Sequence, residues 1–458
     1  MNHRVLLFKV IPSALVLMAC VGLVGFLTAN RGQDQSASRS AVDSETSVFT
    51  EYIQAGIEKH IEDRTREGKG YFKLMYADKE LSLKLVKVHT EYLANLGPRR
   101  HFACVDLVDT KGDVYDVDFF LSGDPGDMTV TETTAHKLNG QPFYLWEQNS
   151  DKTWERVAVK NASKDLLGIV SGKDEFEFRY RATVPKLEGP ARMWLPYPTT
   201  DKFQTVTVVS MKTPGKSRTL IDSKHGNKIL FLELDRDDSR KKIDMRFHVK
   251  RLEKAAYEEK DGDPSKHLKT DSLVPSNEMF SSIAKDVVKG KEGDLVRARA
   301  IYDHVIDRMS YKKYGKGWGK GDAVYACDTR RGNCTDFHAY FMALSRAVDI
   351  PARFAIGAGI PSSRDEGGVD GYHCWVEFYA EGKWWPVDIS EADKYADLET
   401  YYFGHHPANR FELSRGRDLV VDPGPESGPI NFLAYPVMEA DGELKKVKVK
   451  FTFERKSG

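Results

Sequence analysis

Apolar positions change their spacing several times along the chain, and each change predicts a different element. From Val10 to Ala29 the residues VIPSALVLMACVGLVGFLTA carry no charge and follow Arg4 and Lys9. A bilayer-crossing helix needs about 20 apolar residues, so residues 1–30 read as an N-terminal signal or anchor helix. An uncleaved anchor fits first. A cleaved signal peptide comes second, because Leu27-Thr28-Ala29 is a mediocre cleavage site, and lipidation at Cys20 third, because the residues after it stay apolar. Residues 31–46, RGQDQSASRSAVDSET, are small and polar and read as a linker. A helix around Val48–Arg64 and alternating segments over 81–93, 101–109, 113–123 and 128–138 predict a small α+β module at 47–165. From Phe176 the alternation sharpens through FEFRYRATV, ARMWLPYP, ILFLELD and KIDMRFHVKRL, which predicts a β-sandwich over 170–255. The polar run 258–272 reads as a linker. Over 276–310 the period becomes helical, with Ile283, Val287 and Val288, then Ile301, Val305, Ile306 and Met309.

Residues 311–395 carry the candidate chemistry. Gly332-Asn333 is a turn and a helix cap, which puts Cys334 at a helix start; Phe337, Tyr340, Phe341, Leu344 and Val348 then make an apolar face. Only a thiolate is a good nucleophile, and a free thiol titrates near about 8.5. The positive end of a helix dipole, with its unpaired N–H groups, favours the anion. In YHCWVEFYAEGKWWPVD, Glu381-Gly382 suits a two-residue hairpin loop, which sets Ala380 opposite Lys383 and Trp375 opposite Asp388. His373 is then a diagonal neighbour of Asp388 on one face, where a carboxylate can fix the imidazole tautomer and leave the other nitrogen for a thiol.

GNCTDFHAYF, IPARFAIG, YHCWVEFY and PVDISEA resemble the core motifs of the transglutaminase-like superfamily, a papain-related group with a helix Cys, a strand His and a strand Asp in that order. The resemblance covers about 290–415. ARMWLPYPTTDKFQ (191–204) is similar to the β-domain often found before bacterial members, and the 47–165 module is similar to cystatins in its helix-then-strands order. The resemblance implies a multidomain α+β protein with a papain-like catalytic domain over 275–458, C-terminal strands included. It also implies roles: Cys334 as nucleophile, His373 as base and acid, Asp388 as orienter, and no cofactor. The chemistry implied is acyl transfer from amide or peptide bonds, to water or to an amine, through a thioester.

Charge adds little, since Lys+Arg and Asp+Glu are both 68 and no long basic arm is present; nucleic acid is not an expected partner. Expected partners are a protein or peptide substrate outside the cytoplasm, cell-wall peptides included, and a membrane through the N-terminal helix. Five cysteines, Cys20, Cys104, Cys327, Cys334 and Cys374, are too few for a disulfide scaffold; Cys327 and Cys374 either pair or stand as inert thiols. No metal is expected from Cys327, Cys334, His338, His373 and Cys374: the first two are too far apart for a close ligand pair, and His373 and Cys374, adjacent on a strand, should face opposite ways. His338, four residues after Cys334, shares its side of the helix and either lines the cleft, serves as the base or packs; Asp336 reads as a dipole-stabilising or ion-paired residue. GKGWGKGD (315–322) lacks a Ser or Thr after Lys320 and so is not a phosphate loop; it reads as a mobile loop in which Trp318 shields substrate. His405-His406 read as packing or surface residues. The competing class is a non-catalytic, extracytoplasmic peptide-binding module on the same scaffold.

Overall fold

In a computed structural model, which describes residues 48–456 apart from 77–78, 98, 149–153, 159–167, 261 and 395–397, the helix Thr50–Glu67 buries Ile53, Ile57 and Ile61 at four-residue steps. That stripe packs on an antiparallel sheet whose strands run in the order Phe72–Tyr76, Lys79–Val88, Arg100–Asp109, Val114–Asp124, Asp127–Leu138 and Gln141–Pro142. The expected leader and its linker lie outside the described residues. Among the described residues no helix is long and apolar enough to cross a membrane.

Two five-stranded sheets form the sandwich. One runs Gln204–Lys212, Lys242–Leu252, Lys173–Thr183, Lys448–Arg455 and Glu366–Val369; the other runs Lys216–Ile221, Lys228–Leu234, Ala191–Pro196, Val437–Ala440 and Glu443–Leu444. The last strands of the chain, expected within the 275–458 domain, therefore complete the sandwich: Phe178 pairs with Phe453 and Met193 with Met438. Alternation identifies a strand but not its partner, because pairing is settled by distant segments.

The remaining part is a four-stranded antiparallel sheet in the order Lys383–Val387, His373–Ala380, Ala352–Gly359 and Arg410–Arg415, against which the helix Cys334–Arg346 packs. Residues Cys334 to Ser345 of that helix are all buried. Phe337, Tyr340, Phe341 and Leu344 each contribute about 1.5–3 kcal/mol by leaving water, which holds the helix inside although Asp336 and His338 go in with it. One apolar core runs from Phe176, Phe247 and Met193 of the sandwich to Phe341, Phe378 and Phe411 here, so these two parts share an interior.

The described ends of the run 258–272 are bound rather than loose. Asp271 pairs with Arg346 at 2.8 Å, Glu259 takes Arg353 at 2.7 Å, and Tyr257, just before the run, donates its hydroxyl to Glu377 at 2.9 Å. Glu377 is buried on the middle of its strand and also takes Lys254 at 2.7 Å and Arg353 at 2.8 Å. Removing one partner of a buried ion pair leaves the other uncompensated, at about 3–5 kcal/mol. Glu377→Ala is expected to lower unfolding free energy by about 3 kcal/mol in urea titration; a loss under about 1 kcal/mol would show that this network does not join the linker to the sheet.

Candidate active site

Cys334 is the first residue of its helix and its side chain is buried, with 1% exposed. Asn333 caps the helix: its carbonyl side chain accepts from the Thr335 N–H at 3.1 Å, while Asp336 reaches back to the Asn333 N–H at 3.0 Å. The Cys334 N–H takes no acceptor among the described residues and stays available beside the sulfur. Gly332 is required here by close approach, since a Cβ would lie 2.4 Å from Asp336 Cβ.

Asp336 makes no ion pair among the described residues. Its carboxylate accepts the N–H of Gly319 at 2.7 Å and of Gly321 at 3.0 Å, so it clasps the glycine-rich loop over the helix start. Gly321 has φ +64° and no room for a Cβ free of Arg417 and the Thr335 carbonyl. Tyr372 ties the same loop, accepting from Asn333 Nδ2 at 2.9 Å and donating to the Gly319 carbonyl at 3.2 Å. The loop is thus hydrogen-bonded in place, and Trp318 within it is half-buried.

The hairpin has the register its loop demands. Ala380 pairs with Lys383 and Val376 with Val387, around Glu381 at φ 53° and Gly382 at φ 78°. Asp388 follows directly and is fully buried, and the structure brings it to His373: Nε2 of the ring lies 2.6 Å from Oδ2. The other carboxylate oxygen caps the helix Ile389–Lys394, accepting the Ser390 hydroxyl at 3.1 Å and the Glu391 N–H at 3.2 Å. Asp388 therefore both caps a helix and orients a histidine. With Nε2 committed, the ring keeps its other nitrogen for a further partner, and its charge acts on Cys334.

The charges follow from these contacts. Burial alone would depress the His373 ring, but the charge and hydrogen bond of Asp388 outweigh it and push its pKa up to about 9. Burial would likewise raise the Cys334 thiol; the interactions with Cys374 and His373 reverse this and hold it well below the ordinary thiol range. Asp388 is held well below the carboxylate range against its own burial, chiefly by His373 and then by Arg410. Both shifts favour a thiolate beside an imidazolium.

Sequence reasoning passed over one participant. Arg410 stands 3.4 Å from Asp388 Oδ2; it sits in YYFGHHPANRF, beside two histidines of the more familiar catalytic type. His406 instead packs edge-on against Trp375 and bonds the Val387 carbonyl at 3.1 Å, and His405 pairs with Asp113 at 3.3 Å. Cys374, fully buried, lies 3.4 Å from Nδ1 of His338 on the helix Cys334–Arg346. Cys327 and Cys374 are both free thiols. Among the described residues no group of three or more His, Cys, Asp or Glu is arranged to hold a metal. A cavity of about 850 Å³ lined by Lys254, Tyr257, Arg353 and Glu377 lies apart from this constellation and includes none of Cys334, His373 and Asp388.

Residues 281–389 match the model of the Transglutaminase-like superfamily. An uncharacterized protein of Haemophilus influenzae is 29% identical over 59% of this chain and 86% of its own. Among solved structures, a candidate cysteine protease from Cytophaga hutchinsonii overlaps 63% of this chain and all of its own at 15% identity and a TM-score of 0.44. The periplasmic domain of TgpA from Pseudomonas aeruginosa overlaps 51% of this chain and 93% of its own at 17% identity and a TM-score of 0.26. The segment that carries Cys334, His373 and Asp388 belongs to the transglutaminase-like superfamily.

Proposed function

We propose that the chain is an exported, membrane-associated cysteine enzyme acting on amide or peptide bonds, with Cys334 as nucleophile, His373 as acid and base, and Asp388 as orienter. The 2.6 Å bond from His373 Nε2 to Asp388 carries this reading, because it leaves one ring nitrogen to serve a sulfur at a helix N-terminus. The thiolate attacks the carbonyl carbon, and the oxygen that gains charge is met by the Cys334 N–H. His373 gives its proton to the departing amine as the C–N bond breaks, leaving a thioester. Water, or an amine, then attacks while His373 takes its proton back, and the thiolate is released. Hydrolysis is the favoured outcome, and proteins, secreted peptides or cell-wall peptides are the substrates that an extracytoplasmic location offers. Export and anchoring rest on the uncharged Val10–Ala29 stretch behind Arg4 and Lys9.

Cleavage of a peptide library by the full chain is expected, with complete loss in Cys334→Ala. Asp388→Asn should lower kcat/KM by about 10²–10⁴-fold, through loss of ring orientation and charge. A variant as active as the parent would remove Asp388 from the mechanism. The pH profile of kcat/KM should be bell-shaped. Its alkaline limb falls as the imidazolium loses its proton near about 9, and its acid limb lies well below the ordinary thiol range, where the thiolate is protonated. A single rise through pH 8.5 instead, together with ordinary iodoacetamide reactivity at Cys334, would favour the non-catalytic binding module. For location, the intact N-terminal peptide should be recovered from carbonate-washed membranes; its recovery in the soluble fraction would overturn the anchor.

A further inference from the structure

The cavity of about 850 Å³ lies where three parts of the chain meet. Phe203 brings the sandwich to its wall, Tyr257 and His267 bring the linker, and Arg353 and Phe354 bring the strand Ala352–Gly359. Junctions of this kind, with volumes of about 300–1,000 Å³, are where small molecules bind. Met342 and Arg346 also line it, and they stand eight and twelve residues beyond Cys334 on the same helix. At 1.5 Å per residue that is roughly 12–18 Å along the axis from the nucleophile. The cavity has no role in the mechanism above.

Its lining is charged and unbalanced. Among the described residues that line it, ten are Lys or Arg and seven are Asp or Glu, so three positive charges are left over. The pairings show the same shortage of carboxylate. Asp271 is shared by Lys224 at 2.9 Å and Arg346 at 2.8 Å, and Glu377 by Lys254 at 2.7 Å and Arg353 at 2.8 Å. Arg353 has a second carboxylate in Glu259, and Arg415 holds both Asp201 and Glu412. For Arg417 no ion pair is left among the described residues. It is buried, and its guanidinium donates only to neutral oxygens: the carbonyls of Gly321 at 2.6 Å and Lys320 at 3.1 Å, and Asn431 Oδ1 at 3.1 Å. Lys202, exposed on the rim, also makes no ion pair among the described residues. Its Nζ lies 5.2 Å from the centre of the Tyr257 ring and 5.5 Å from that of Phe203, the same two rings that Lys254 meets at 5.8 Å and 4.9 Å. Two ammonium groups thus converge on one aromatic pair. Burial first, and then the charges of Arg353 and Arg346, push the pKa of His267 down to about 4, as a positive site does to an imidazole. We infer that this cavity is a binding site for a small polyanion, a molecule with at least two carboxylate or phosphate groups, which sits against Lys202 and the Phe203–Tyr257 pair and supplies the missing negative charge. The site needs none of Cys334, His373 and Asp388, so it stands or falls apart from the enzyme reading.

The test titrates citrate and inorganic pyrophosphate calorimetrically into the full chain, with ionic strength held constant by sodium chloride. Saturable one-to-one binding of at least one probe is expected, and the tighter probe identifies the ligand's groups as carboxylate or phosphate. Binding should weaken as salt is raised and should be unchanged in Cys334→Ala. Lys202→Glu should weaken it by at least about tenfold, because an attractive charge beside the anion becomes a repulsive one; Lys202→Gln should fall between that variant and the parent. Lys186→Glu reverses an exposed lysine that pairs with Glu188 outside the cavity, and it should bind like the parent. No saturable heat from either probe overturns the site. A Lys202→Glu variant as tight as the parent overturns it too, as does a Lys186→Glu variant weakened equally, which would make the effect one of net charge. Loss of binding in Cys334→Ala would place the anion in the catalytic cleft and overturn it as well.

Discussion

A carboxylate with no water around it must have its lone pairs answered by the protein, or it will not stay charged. Asp388 meets this condition from three separate elements. His373 comes from the first residue of one strand, Arg410 from the first residue of another, and Ser390 and Glu391 from the helix that Asp388 itself begins. The raised pKa of the His373 ring and its orientation both descend from that one anion. Were it neutral, burial would dominate at His373 and the ring would lose its charge.

This explains which parts of the site were legible in the sequence. A two-residue loop at Glu381-Gly382 admits one register, and that register alone places Asp388 beside His373. Gly332-Asn333 likewise announces a helix start, and Cys334 must follow it. These are local rules, acting over a few residues. Arg410 reaches Asp388 only because its strand pairs with Ala352–Gly359, which also pairs with the His373 strand; no local pattern encodes that. The same holds for Lys448–Arg455, whose alternation marks a strand but whose place beside Lys173–Thr183 is set by a partner some 270 residues away.

The interior around the site carries many charges, and they are arranged to offset one another. Glu377, two strand positions beyond Trp375 on the face of His373, is held by Lys254, Arg353 and Tyr257. Arg299 and Asp106, 2.7 Å apart and both buried, join the helix Asp294–Arg308 to the N-terminal sheet. Such pairs add less net stability than apolar contacts of the same volume, but breaking one is costly. They therefore fix how the parts sit against the catalytic sheet, while the shared apolar core supplies the larger driving force.

The free thiols show how little of this chemistry belongs to cysteine as such. Cys104 is also buried, yet its neighbours are the carboxylates of Asp118, Asp116 and Asp106, and both burial and those charges drive its thiol far up. Cys334 is at least as buried and moves the opposite way. The difference lies in what surrounds each sulfur: anions around Cys104; a helix N-terminus and the His373 ring around Cys334. Burial by itself makes both sulfurs inert. At Cys104 the carboxylates add to that cost, whereas at Cys334 the helix N-terminus and His373 oppose it and favour the charged form.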